Sequence, residues 1–407
     1  YHYDYDVMGN KVLAEKERPG LPEDSGNFSY DYDALNRLTS VACNGKTLRT
    51  YGYDAFGNRN TRTEYQTAGE LVTTYHYNTK NQLTQETNAS GTKNYNYDHR
   101  GNLLSVTSGE EVLKAYGFDA ANRMSSSVDR TAREITKAYY QYNGLGHRVG
   151  QTIASGNADV TQTIRYTLDL TRQYHNLLQK TGNGLDQIYF WDGNVTGMEE
   201  NGRDHFYFQD DLGSPMRLTD EDGRSEEVYG FDEFGNDIRT AKDIFKDSLQ
   251  SFGFTGYQMD SVGALYFAQA RRYDAGVGRF ISEDFIKGHI AAPYTMNHYN
   301  YCWNRPLDLV DLNGMEPTAG VIKALMDMLK CDETVSYIFY TTGENSDFTD
   351  QANWKKEQLE SEGKNVVMIP IANANDFVDG WNHMGMTPDG IANIEDVEIY
   401  THSNETT

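Results

Sequence analysis

The 407-residue chain is predicted to be mainly β, a wound sheet of repeated hairpins followed by a small α/β domain. Two observations carry this expectation. A tyrosine–aspartate motif recurs through the first 150 residues, and near Met315 the repeats give way to strands alternating with helical stretches.

The motif Tyr32-Asp33-Ala34-Leu35-Asn36-Arg37-Leu38 returns as Tyr53-Asp54-Ala55-Phe56-Gly57-Asn58-Arg59 and as Tyr97-Asp98-His99-Arg100-Gly101-Asn102-Leu103. Looser copies begin at Tyr77, Phe118 and Tyr142, and an earlier one at Tyr5. The anchors 32, 53, 77, 97, 118 and 142 lie 21, 24, 20, 21 and 24 apart. Such spacing marks a repeat architecture, in which each unit buries its apolar face against its neighbours.

Each unit predicts two strands around a turn. Alternation in Tyr51-Gly52-Tyr53, Tyr75-His76-Tyr77 and Tyr95-Asn96-Tyr97 puts both rings of a pair on one face. Asp-x-x-Gly-Asn then supplies turn chemistry, with Gly able to take positive φ. A second strand follows, as in Leu103-Leu104-Ser105-Val106-Thr107. Only 8 prolines interrupt the chain, which suits long ladders of paired strands. Stacked tyrosines would line such a sheet, so the repeated Tyr and Asp residues are structural rather than chemical.

Composition narrows the function. A net charge of −24 argues against a nucleic-acid-binding shell and against adhesion to anionic membranes. No apolar run reaches the roughly 18 residues of a membrane span. Cys43, Cys302 and Cys331 are scattered and odd in number, so neither a disulfide framework nor a metal cluster is expected, and no cofactor. Because the chain begins inside a repeat, it reads as a fragment, and the lack of a visible export signal is uninformative.

From residue 207 the sequence carries a more specific string. It includes Tyr207-Phe208-Gln209-Asp210-Asp211-Leu212-Gly213-Ser214, Tyr229-Gly230-Phe231-Asp232-Glu233-Phe234-Gly235 and Leu265-Tyr266-Phe267-Ala268-Gln269-Ala270-Arg271-Arg272-Tyr273-Asp274. Gly278-Arg279-Phe280-Ile281-Ser282-Glu283-Asp284 follows, and Tyr299 to Met315 closes it. With the repeats, this string resembles the Rhs/YD-repeat polymorphic toxin family over residues 1 to about 315. The resemblance implies a β-cocoon enclosing a variable C-terminal toxin. It divides the chain into YD repeats at 1–150, further shell repeats at 151–240, a core-associated plug at 241–315 and an effector at 316–407 that is possibly truncated.

The plug of such proteins resembles an intramolecular aspartyl protease that cuts just after its own Asp-x-x-Gly-(Leu/Met) element. Here that element is Asp311-Leu312-Asn313-Gly314-Met315, so the expected scissile bond is Met315-Glu316. Hydrolysis by a carboxylate pair needs one ionised and one protonated member, which two carboxylates sharing a buried site provide. Asp274 and Asp284 are the expected pair, with Arg271 or Arg272 holding the site through a forked hydrogen bond. Asp311 is expected to shape the turn presenting the bond, with a catalytic role as the alternative. The family's Pro-Asp-Pro is Glu283-Asp284-Phe285 here, and its Asp-Pro-x-Gly is Asp311-Leu312-Asn313-Gly314, which relaxes the backbone at both places.

Beyond Met315, helical periodicity spans Ala319 to Leu329. Strands are expected at Val335–Tyr340, Val366–Pro370 and Val397–Tyr400, with helices at 349–362 and 375–384. This order predicts a small parallel α/β sheet with sites at the strand ends. His402, just past the third strand, is weakly similar to the strand-end histidine of caspase-like peptidases and is a candidate base.

The implied setting is bacterial, secreted or at the cell surface. The expected partners are the chain's own effector inside the shell and a cognate immunity protein. A cell-surface YD-repeat protein that binds glycans without active cleavage is the alternative.

Overall fold

A computed structural model describes residues 1–131, 134–156, 161–171, 175–239, 244–288, 293–315, 317–319, 334–342, 348–362, 364–372, 386–387, 390–391 and 393–400. The chain divides into two compact units, Tyr1–Val321 and Ile322–Thr407.

In the first unit, twenty-one described strands from His2–Tyr5 to Ser225–Val228 form one antiparallel meander, each paired with the next in sequence. The strand Arg148–Ser155 crosses residue 150, so the earlier and later repeats share one sheet. The first tyrosine of each repeat pair is buried: Tyr30, Tyr51, Tyr75, Tyr95, Tyr116 and Tyr140. The second reaches back to the preceding repeat. Hydroxyls of Tyr32, Tyr53, Tyr77 and Tyr142 donate to the carbonyls of Lys11, Leu38, Arg59 and Met124 at 2.7–2.8 Å. Neighbouring repeats are therefore joined both by ladder and by side chain.

The turns share one construction. In Asp54-Ala55-Phe56-Gly57-Asn58, Asp54 Oδ1 accepts from the amides of Phe56 and Asn58, and Asp54 Oδ2 accepts from Asn58 Nδ2. The fourth residue sits at positive φ, and that place alternates between Gly and Asn: Gly9, Asn36, Gly57, Asn81, Gly101 and Asn122. These are the two residue types that best tolerate the left-handed region. Turns also touch in twos. Asn10, Asn58 and Asn102 donate through Nδ2 to Oδ1 of Asn36, Asn81 and Asn122, at 3.0, 2.9 and 2.6 Å.

The two ends of the meander meet through side chains. Lys11 pairs with Asp211 at 2.7 Å, and Arg18 donates to the carbonyls of Met216 and Tyr229. Gly20 lies against Val228, where a Cβ would come within 2.9 Å of a valine methyl.

After the meander, a small sheet forms from Gln258–Asp260, Leu265–Ala268, Arg271–Asp274 and Arg279–Phe280. Its Val262, Leu265, Val277 and Ile281 pack among Tyr75, Tyr95, Tyr116 and Tyr140 of the repeats. Its other face carries a second core of Phe254, Tyr257, Tyr266, Tyr273, Phe280 and Tyr301. Burial of this aromatic area, at ~25 cal/mol per Å², is the main attraction holding the segment in place. A buried triad adds specificity: Asp260 pairs with Arg148 of the repeats at 2.5 Å and with Arg272 at 2.7 Å.

In the second unit, Thr334–Thr341 runs parallel to Asn365–Ile371 on one side and to Asn393–Tyr400 on the other, and helix Thr349–Ser361 supplies Ala352 and Leu359 to the core around Ile338. A parallel α/β arrangement was the expectation from the alternating pattern. Ala319 departs from it: with Thr318 it forms a short strand paired to Leu309–Val310 rather than opening a helix. The rest of that stretch, and the one at 375–384, lie outside the described residues.

Candidate active site

Strand Arg271–Asp274 lies between its neighbours in the small sheet, so successive side chains point to opposite faces. Arg271 and Tyr273 share one face; Arg272 and Asp274 take the other. This alternation separates residues that are neighbours in sequence into two different environments.

On the first face, Arg271 is 6% exposed and binds four groups. One guanidinium nitrogen, Nη2, meets Asp284 Oδ2 at 2.7 Å and Asp311 Oδ2 at 3.2 Å. Nη1 donates to the carbonyl of His298 at 3.0 Å, and Nε donates to the carbonyl of Gly314. Asp311 also holds its own turn. Its carbonyl accepts from the Gly314 amide at 3.3 Å, its Oδ1 accepts from the Met315 amide at 2.9 Å, and the Tyr257 hydroxyl donates to its carbonyl. Gly314 takes φ +71, and a Cβ there would come within 2.3 Å of the Ala268 carbonyl, so this close approach needs glycine.

Both carboxyls are held above the ordinary carboxylate range, Asp311 further than Asp284. Burial pushes the Asp311 carboxyl up to about 6; Asp284 adds to the rise, and Arg271 and the Met315 amide oppose it. Asp284 is also raised by burial, but Arg271, the Ile286 amide, His298 and Lys287 all pull it back. Burial draws the Arg271 guanidinium down, with both carboxylates opposing the loss. Of the two, Asp311 is the one that keeps a proton more readily. Both carboxylates, Arg271, His298, Trp303 and Met315 line a cleft of about 180 Å³.

The expected pair of Asp274 and Asp284 is not brought together. Asp274 accepts from the Gly276 amide at 2.9 Å, and its charged neighbours are Lys114, Glu86 and Lys93 of the repeats. Three residues from Arg271 along a strand, it must face away from Asp284. Asp311 occupies the partner's position instead, while also shaping the turn. Arg272, the alternative clamp, is committed to Asp260 and lies 4.1 Å over the Phe267 ring. Glu316 and His402 lie outside the described residues. Among the described residues no group of His, Cys, Asp and Glu could hold a metal ion. His298 has no signal in the sequence; only the fold brings it beside Asp284, and Tyr257 beside Asp311.

Comparison with known proteins follows the same lines. A family model described as the Teneurin YD-shell matches residues 2–307. WapA of Bacillus spizizenii, named a tRNA3(Ser)-specific nuclease, is 30% identical over 288 residues, covering 70% of this chain and 12% of its own length. Human teneurin-1 is 26% identical over 317 residues, 74% of this chain and 11% of that protein. The crystal structure of TcdB2-TccC3 without its hypervariable C-terminal region is similar in fold, with a TM-score of 0.50 at 16% identity, covering 77% of this chain and 18% of that one. The chain spans about an eighth of the length of the curated relatives it matches.

Proposed function

Because the chain belongs to the Teneurin YD-shell family, we propose that it is part of a secreted or cell-surface bacterial toxin shell, which cuts itself between Met315 and Glu316 to free the segment beyond as an effector. Arg271 and Asp311 hold the backbone of Gly314 and Met315 while Asp284 shares a nitrogen of the same Arg271, and this carries the reading.

Ionised Asp284 takes a proton from a water molecule, whose oxygen attacks the Met315 carbonyl carbon. Asp311 gives its proton to the Glu316 amide nitrogen as the C–N bond breaks. The products are a Met315 carboxyl and a free Glu316 amine. Arg271 fixes the approach by gripping the preceding carbonyl, an orienting role that a fork of donors performs well. The freed effector would be held by the shell until delivery, and a cognate immunity protein would protect the producer.

Intact mass of the purified chain tests the cut. Two pieces meeting at Met315/Glu316 are expected for the wild type and one piece for Asp284→Asn; an uncut wild type rejects self-cleavage. Growth arrest when residues 316 onward are produced inside a bacterium tests the effector.

A second reading, glycan adhesion without cleavage, draws on a row of half-exposed rings. Phe190 and Phe206 flank Gly197 across three neighbouring strands, and Phe208 follows on the same face. The repeat tyrosines give it no support, since the first of each pair is buried. Binding on a glycan array that Phe206→Ser abolishes, by a chain that stays uncut, would favour it.

A further inference from the structure

Lys11, Lys16 and Lys93 of the wall each reach a carboxylate, those of Asp211, Asp24 and Glu86 in turn. Lys180, on the strand Asn176–Gly182, does not. Among the described residues it forms no ion pair, and its one hydrogen-bond partner is a serine hydroxyl: Nζ lies 3.0 Å from Ser251 Oγ. On the neighbouring strand Leu185–Trp191, Tyr189 Oη stands 2.8 Å from the same oxygen and 2.6 Å from Gln187 Oε1. Gln187 Nε2 donates to the carbonyl of Leu249 at 2.7 Å, and the Met259 amide donates to that of Ser251 at 2.9 Å. The serine is thus tied to both the wall and the small sheet. Phe252 beside it packs edge-on against the rings of Tyr189, Trp191 and Tyr207.

A lysine taken out of water without an acid beside it is unfavourable, and losing its proton relieves the cost. Burial draws the Lys180 ammonium down to about 8; Glu200 and Asp260 oppose the fall, and Arg148 adds to it. A neutral amine in hydrogen-bond reach of a hydroxyl is the arrangement that activates serine for acyl transfer. Ser251 keeps 8% exposure and Lys180 is half-buried, so the pair is not sealed. We propose that Ser251 and Lys180 form a second catalytic pair, in which the serine takes the acyl group of a small carboxylic ester. Lys180 removes the Ser251 proton as Oγ bonds to the ester carbonyl carbon. Collapse breaks the carbon–alkoxide bond, and the alkoxide leaves with the proton from Lys180. Water then attacks the acyl-serine, giving a proton to Lys180, which returns one to Ser251 Oγ. Tyr189, hydrogen-bonded to Oγ, orients the hydroxyl. Neither Asp284 nor Asp311 takes part, so the pair stands whether or not the chain cuts itself.

Diisopropyl fluorophosphate tests the pair in the folded full chain. Ser251 Oγ is expected to bond to phosphorus as fluoride leaves, its proton going to Lys180, and peptide mapping by mass should place the adduct on Ser251. Labelling should quicken as pH rises through about 8, where Lys180 becomes neutral. The charged groups facing the amine are Glu200 and Arg148 of the wall and Asp260 of the small sheet. No adduct on Ser251, or one on Tyr189 or Lys180 in its place, overturns the inference.

Lys180→Arg separates chemistry from packing. A guanidinium can donate to Ser251 but cannot take its proton, so labelling should fall by about 100-fold while the unfolding midpoint holds. Lys180→Met, read beside it, guards against the larger arginine displacing the serine, and the loss of labelling should be shared by both. Labelling of either variant at the wild-type rate would show a merely exposed hydroxyl and overturns the role of the lysine.

Discussion

Asp284 and Asp311, 27 residues apart in sequence, meet at a single nitrogen of Arg271, at 2.7 and 3.2 Å. Neither carboxylate can be altered without changing the charge balance of the other, because one guanidinium serves both. Asp311→Asn is expected to leave the chain as a single piece by intact mass, as Asp284→Asn does. A cut Asp311→Asn chain would reduce Asp311 to a turn former.

Adjacent arginines should fail differently. Arg271→Gln removes the group gripping the Gly314 carbonyl and is expected to slow cutting by at least about 100-fold. Arg272→Gln leaves Asp260 with Arg148 alone in a buried setting and is expected to destabilise the first unit by about 3 kcal/mol, within the range for breaking a buried pair. Denaturant unfolding beside a cleavage time course separates the two; equal effects of both changes on stability would contradict the assignment.

Stability should carry the signature of Asp311. Its carboxyl titrates near 6 in the folded chain against an ordinary value of 3.8, so the folded state holds the proton more tightly than the unfolded one. This contribution is fully present below about pH 4 and is lost as pH rises through about 6. In a chain kept whole by Asp284→Asn, adding Asp311→Asn should flatten that decline by about 1–3 kcal/mol. Unfolding midpoints over this window decide it, and an unchanged slope would show that Asp311 is not buried as described.

Glycines at equivalent turn positions should differ in importance. Gly9 takes φ +78 with open space where a Cβ would go. Gly101 takes φ +83, but there a Cβ would come within 2.6 Å of Glu283 Oε2 and of the Tyr299 hydroxyl. The Gly101 carbonyl also accepts from the Glu283 amide at 3.2 Å and from Tyr299 Oη at 3.0 Å. Gly9→Ala is expected to cost about 1 kcal/mol, for the left-handed backbone alone. Gly101→Ala should cost about 1–3 kcal/mol more and slow cutting, since it pushes on the segment carrying Asp284. Similar melting shifts for both would show that this turn does not seat the core segment.

Much of the wall was legible in the sequence because its signal is redundant: ring, acid, turn and spacing recur together from Tyr5 to Arg148. Arg271, Asp284 and the Asp311 turn were also legible, through the resemblance to a known pattern. The pairing was not. Asp274 and Arg271 stand three apart on a strand, and period-2 geometry sends them to opposite faces once that strand is flanked on both sides. Asp-x-x-Gly is turn chemistry, so the sequence points to Asp311 as a turn former; its side chain does both jobs, one oxygen for the turn and one for Arg271. His298 could not be found at all, since its place beside Asp284 comes from backbone pairing between 284 and 298 rather than from any local motif.

Turns joined in twos, glycine-type to asparagine-type, give the wall a unit of growth. Deleting a single repeat would bring two turns of one kind together, stranding an amide where its acceptor had been. Losing two in succession restores the alternation. Along the stretch where the turns alternate, such walls should therefore lengthen and shorten by even numbers of repeats.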